Sequence, residues 1–79
     1  MKILVSSPAF NQHNLDKMRG YLEGFFQEVI YNPYGRTLKE DELFELWNGV
    51  DGIIAGMEQY TENTLKRAPK NLKIISRFG

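Results

Sequence analysis

Few side chains in this sequence are of a type and placement to do chemistry. One carboxylate, Glu58, sits in Gly56-Met57-Glu58-Gln59-Tyr60, and one guanidinium, Arg77, in Ser76-Arg77-Phe78-Gly79. The single histidine, His13, lies in Asn11-Gln12-His13-Asn14. A hydrolase triad needs a histidine between a placed nucleophile and an orienting carboxylate. His13 has neither beside it, and the expectation is an exposed loop or helix-start histidine. The chain contains no cysteine, which removes disulfides, thiolate nucleophiles and thiolate-held metal centres together. Any metal site would have to be built from carboxylates. Glu58 has two readings, a solvated loop glutamate or a general acid. The second needs a partner that tunes its pKa, and none is visible in the sequence.

Four short apolar runs must position these groups: Lys2–Ser6, Glu28–Tyr31, Gly52–Ala55 and Leu72–Phe78. The first, third and fourth are near-continuous in Ile, Leu, Val and Ala, as in strands covered on both faces. Helical spacing separates them. Leu15, Met18, Leu22 and Phe25 make one stripe, and the helix carrying them either ends at Gly24 or runs on through Phe26. Leu43, Leu46 and Trp47 share a face in the second helix, with Thr37-Leu38-Lys39-Glu40 spaced as a capping box and Gly49 suited to a left-handed end. Thr61 caps a third helix that contains Leu65 and Ala68 and stops near Pro69.

Strict strand–helix alternation implies a parallel sheet between helices, and right-handed crossovers narrow the topology. The expected fold is a flavodoxin-like three-layer α/β sandwich, its four parallel strands in the order 2-1-3-4, truncated before a fifth strand. Ligands in such sheets sit beyond the carboxyl ends of the strands, where strand order reverses. Here that is between strands one and three, at the loops Ser7-Pro8-Ala9-Phe10-Asn11 and Gly56–Tyr60, with Ser76–Gly79 adjoining.

Several activities fail at those loops. Phosphoryl transfer by a receiver domain needs a carboxylate ending strand three and an acidic pair near strand one, where this chain has Ala55-Gly56 and Ser6-Ser7. A flavin phosphate needs converging donors after strand one, whereas Pro8-Ala9-Phe10 removes one and adds bulk. Neither Gly-x-Gly-x-x-Gly nor a P-loop occurs. Ten basic and ten acidic residues cancel, so no global field draws nucleic acid or an anionic membrane. The cluster Lys66, Arg67, Lys70 and Lys73 reads as a solvated helix end favoured by the helix dipole. No apolar run approaches the ~20 residues of a membrane span, and the amino terminus enters a strand directly. A cytoplasmic location is expected, with neither nucleic acid nor membrane as a partner.

Three stretches together resemble the amino-terminal part of NAD-dependent D-2-hydroxyacid dehydrogenases, of the phosphoglycerate-dehydrogenase-like branch. They are Tyr31-Asn32-Pro33-Tyr34-Gly35-Arg36 with Leu38 and Glu42-Leu43, then Asp51 to Glu58 followed by Tyr60-Thr61, then Leu72 to Gly79. Each is modest alone; their order and spacing make the match specific. The resemblance implies that residues 1–79 are part of a flavodoxin-like substrate-binding domain, with the nucleotide-binding domain absent. It implies a cleft lined by Gly56, Met57, Glu58, Arg77, Phe78 and Gly79, with Arg77 anchoring a substrate carboxylate. It also implies NAD as cofactor of the intact protein, none held by this chain, and the catalytic Arg, Glu and His elsewhere. Phosphoglycerate enzymes commonly carry an Arg after strand three. Gly56 stands there instead, so an unphosphorylated 2-hydroxy or 2-oxo acid fits better. The chain stops at what would be the first glycine of the family's carboxylate-binding loop. The expectation is a fragment that is inert by itself. The alternative is an interaction module, a homodimer joined through strand 72–78, because an apolar sheet edge recruits another strand.

Overall fold

In the computed structural model, which describes residues 1–8 and 16–77, strands β1 (Lys2–Val5), β2 (Glu28–Tyr31), β3 (Gly52–Ala55) and β4 (Ile74–Arg77) alternate with helices α1 (Asp16–Phe25), α2 (Glu40–Leu46) and α3 (Glu62–Lys66). All strand pairs are parallel and the order is β2-β1-β3-β4. This is the expected flavodoxin-like arrangement. The register aligns Ile3 with Val29 and Gly52, and Gly52 with Ile74. Aligned residues of neighbouring strands share a face, so those four face α1. Leu4, Ile30, Ile53 and Ile75 face α2 and α3.

The two faces are filled unequally. On the α2–α3 side Leu4, Leu38, Leu43, Trp47, Val50, Ile53 and Ala55 form a buried cluster. On the α1 side the buried cluster is Ile3 and Val5, flanked by partly buried Leu22, Phe26, Val29, Tyr31 and Ile54.

Helix α1 departs from the expected stripe. Of its described members only Leu22 packs inward; Met18 and Phe25 are exposed, and Leu15 lies outside the described residues. The helix is rolled toward the edge strand β2. There the Arg19 guanidinium lies 4.3 Å over the Tyr31 ring, and the Tyr31 hydroxyl reaches the Arg19 carbonyl at 3.5 Å. The helix runs past Gly24, and the Phe26 N–H still bonds the Leu22 carbonyl at 3.0 Å.

Strand β4 is shorter than predicted, because the Leu72 N–H closes a turn onto the Pro69 carbonyl at 3.1 Å. It is also not covered on both faces. Ile75 is half-buried against α3's side, while Ile74 on the α1 side is exposed.

Helix α2 starts two residues later than the Thr37–Glu40 spacing suggests. Leu38 is drawn into the core, so the chain is still extended at the N-cap residue Lys39 (φ −81°, ψ 162°). The capping acid is therefore Glu42, which accepts from the Lys39 N–H at 2.9 Å. Arg36 then clasps Glu42 with two bonds of 2.7 Å, a bidentate geometry that is strong for its kind. The Arg36 bond, and after it the Lys39 N–H, hold the Glu42 carboxyl down at about 2. A depressed pKa stabilises the fold above the unfolded value, and the contribution is lost as pH falls from ~4.3 toward the folded value. In Arg36→Ala the Glu42 carboxyl should titrate closer to an ordinary glutamate, and carboxyl NMR titration of both proteins checks this. Thr61 caps α3 as expected, accepting from the Thr64 N–H at 3.1 Å. Gly49 has φ 71°, the left-handed end anticipated for α2. Arg67 is occupied at 4.6 Å over the Phe44 ring.

At the amino ends of the strands Asp51 ties three segments. Its carboxylate accepts from the Lys2 N–H at 2.7 Å and the Asn71 amide at 2.9 Å, and its carbonyl accepts from the Lys73 N–H at 2.8 Å. The Lys2 bond, then Asn71, lowers the Asp51 pKa. One end of the sheet is thus stitched, and the loops at the other end are left to form a site.

Candidate functional site

The carboxyl ends of β1, β3 and β4 converge on one loop, residues 56–60. Strand β1 is followed by Ser6 and Ser7, both buried. Strand β3 ends at Ala55, and the chain turns at once through buried Gly56. A Cβ on Gly56 would lie 2.9 Å from the Ser7 Cα and 3.3 Å from the Pro8 Cδ. Only glycine lets the two strand ends approach this closely.

That approach brings the Glu58 side chain under the loop. Glu58 is 3% exposed, so it is not a solvated loop glutamate. Its Oε2 accepts from the Ser6 hydroxyl and, at 2.6 Å, from the Tyr60 hydroxyl. Its Oε1 accepts from the Gly56 N–H at 3.1 Å. A buried carboxylate is tolerated only when its lone pairs are filled, and here both oxygens are engaged. Burial first, and the Glu58 bond second, push the Tyr60 phenol well above its usual value. Tyr60 therefore stays a neutral donor to Glu58. The network is a tie between β1 and the loop.

Arg77 works on the same loop from β4. Its Nη1 donates to the Gly56 carbonyl, and its Nη2 to the Glu58 carbonyl at 3.4 Å. Two of five guanidinium N–H groups are so used, and among the described residues no carboxylate forms an ion pair with it. The structure thus brings together Gly56, Met57, Glu58 and Arg77, with the Met57 side chain exposed. Phe78 and Gly79 lie outside the described residues, as do His13 and Ala9-Phe10-Asn11.

A third loop joins from β2. The buried Asn32 amide donates to the Ser6 carbonyl at 2.8 Å and the Arg36 carbonyl at 2.7 Å, and its Oδ1 accepts from the Tyr34 N–H at 2.7 Å. Farther along, between residues 37–43 and 57–64, lies a cleft of about 370 Å³, whose lining includes Thr37, Lys39, Glu40, Met57, Glu58 and Gln59. The Glu40 carboxylate there accepts from the Thr64 hydroxyl at 2.7 Å.

Sequence reasoning did not find Ser6, Asn32 and Tyr60. A signal existed for two of them, since a polar Ser6 closes the apolar run Ile3-Leu4-Val5 and Asn32 follows Val29-Ile30-Tyr31. Among the described residues no group of three His, Asp or Glu is placed to hold a metal ion, and no helix is long and apolar enough to cross a membrane. No protein-family model, curated protein or solved structure matches the chain.

Proposed function

We propose that this chain is the substrate-binding part of an NAD-dependent D-2-hydroxyacid dehydrogenase, and that it holds the carboxylate of a small unphosphorylated 2-hydroxy or 2-oxo acid. One observation carries this reading. Arg77 projects from the end of β4 onto residues 56–58, at the side of the sheet where strand order reverses. Open parallel sheets bind ligands at that place, and a guanidinium with unused N–H groups suits a carboxylate. The family resemblance of residues 31–43, 51–61 and 72–79 points to the same acids.

The division of labour follows from the residues present. Arg77 and the 56–58 loop bind and orient the acid. The Ser6–Glu58–Tyr60 tie keeps that loop in place. NAD belongs to a dinucleotide unit, and the 79 residues carry no Gly-x-Gly-x-x-Gly to hold it. The bound cofactor supplies hydride transfer, and this chain by itself is inert. A cytoplasmic setting accords with that chemistry.

Substrate phosphate has no place in this reading. Gly56 offers no side chain where an Arg would meet it, and no room for one. Titration calorimetry should therefore rank lactate- or glycerate-sized acids above their phosphorylated counterparts. Affinity for the bare acid is expected on the order of millimolar, about −4 kcal/mol. Tighter binding of the phosphorylated acid would overturn the substrate assignment.

A further inference from the structure

The amino ends of the strands carry a chemistry of their own, away from the acid site. Just after α2 the chain reads Asn48-Gly49, and both residues are exposed. The backbone nitrogen of the residue after an asparagine can attack the side-chain amide carbon, because a five-membered ring closes. A glycine in that place has no Cβ to hinder the approach. The attack needs a following N–H that exists, is free of other bonds and can lose its proton.

Among the described asparagines only Asn48 meets these conditions. Asn32 is buried and precedes Pro33, which has no N–H. Asn63 precedes Thr64, whose N–H is taken by the Thr61 hydroxyl at 3.1 Å. Asn71 precedes Leu72, whose N–H bonds the Pro69 carbonyl at 3.1 Å. Around Asn48, the Trp47 N–H bonds the Leu43 carbonyl and the Val50 N–H bonds the Trp47 carbonyl. The Gly49 N–H between them makes no hydrogen bond among the described residues. The Asn48 side-chain amide has one long bond, 3.5 Å to the Glu45 carbonyl.

Lys2 supplies the last condition. Its Nζ donates to the Asn48 carbonyl oxygen at 3.0 Å. That oxygen and the Gly49 nitrogen belong to one resonant peptide unit. When the Gly49 N–H loses its proton, much of the negative charge settles on the oxygen that faces the ammonium. A cation already in place stabilises charge as it develops.

We propose that Asn48-Gly49 is a self-modification site, where the Gly49 nitrogen displaces the Asn48 side-chain amide and Lys2 stabilises the anion that attacks. A bond forms between the Gly49 nitrogen and the Asn48 Cγ, and the Cγ–Nδ2 bond breaks. The proton lost by Gly49 passes through solvent to the leaving nitrogen, which departs as ammonia. Water then opens the cyclic imide at either carbonyl. One product is aspartate, the other an isoaspartate whose backbone runs through the former side chain. Water is the single co-reactant.

The isoaspartate lengthens the backbone at a closely bonded joint. The Gly49 carbonyl accepts from the Asn71 amide at 2.9 Å, and Val50 is fully buried. Asp51, next along, ties the Lys2 N–H, the Asn71 amide and the Lys73 N–H. The modification therefore loosens the stitched end of the sheet. Asp51-Gly52, a related pair, is protected. Its carboxylate is held by those bonds, and Gly52 lies within β3, where a Cβ would stand 3.1 Å from Ile3 and 3.2 Å from Ile74.

The inference is independent of the acid site. The chain and its Lys2→Met and Lys2→Arg variants, incubated at mildly alkaline pH, are digested and followed by peptide mass spectrometry. Residue 48 should change from amide to acid well ahead of Asn63 and Asn71, with Asp51 unaltered. Lys2→Met should slow this ~threefold, the worth of an exposed charge contact, and Lys2→Arg should restore most of the rate. In urea all three chains should convert alike, because the ammonium is no longer placed. Circular dichroism confirms that each variant starts folded. Product that an isoaspartyl methyltransferase labels should unfold at lower urea concentration than the starting chain. Conversion at Asn48 no faster than at Asn63 or Asn71 overturns the proposal. Equal rates for the folded chain and folded Lys2→Met overturn it as well.

Discussion

Glu58→Ala should cost about 4 kcal/mol of folding stability, a large share of a total of ~5–15 kcal/mol. The substitution strands the Ser6 and Tyr60 hydroxyls and the Gly56 N–H, all of which donate to this one carboxylate. Unmet buried donors each cost ~1–3 kcal/mol, which is more than the bond itself contributes. Glu58→Gln keeps the shape and one acceptor oxygen, and an intermediate loss of about 2 kcal/mol is expected. Urea unfolding with an unchanged m-value measures both. A loss below ~0.5 kcal/mol, the range of an ordinary surface change, would mean that Glu58 is a solvated loop residue after all.

Gly56→Ala is expected to cost about 2–3 kcal/mol, the range of overpacking in a closed site. The added methyl meets the Ser7 Cα at 2.9 Å, and that atom is backbone. No side chain can swing aside, so β1 and β3 must separate where Glu58 ties them. Gly56→Arg should be worse still. It would put a guanidinium beside the proposed acid site, but only by breaking the tie that holds the loop. Phosphate affinity would therefore not be gained with the residue. Met57→Ala, one residue on and exposed, should stay within ~0.5 kcal/mol. Equal effects at 56 and 57 would show that close approach of the strand ends is not what glycine serves here.

How much of this was legible in the residues depends on which force set each feature. Strand order was readable because β1 and β3 are continuous apolar runs and the crossovers have one hand. The Thr61 cap and the Gly49 turn were readable because local backbone geometry demands those residues. The α1 stripe misled. Met18 and Phe25 keep helical spacing with Leu22, but Arg19 stacked on Tyr31 rolls the helix and turns two of them outward. The Thr37 cap also misled, since burial of Leu38 delays the helix to Glu40. At the site, Glu58 and Arg77 were found as residue types at the right loop ends. Their connections were not. Ser6 and Glu58 are far apart in sequence, and the β1–β3 pairing together with the Gly56 turn brings them into contact.

If the loop 56–58 and Arg77 together bind a small carboxylate, as proposed, addition of a 2-oxo acid to tens of millimolar will register in the amide and guanidinium NMR signals of the chain. Saturable shifts are expected at Gly56, Met57, Glu58 and Arg77, with the amino-end cluster at Lys2, Asp51 and Asn71 unmoved. Signals at 56–58 and 77 that stay still, or that move no more than those at 2, 51 and 71, would contradict the proposal.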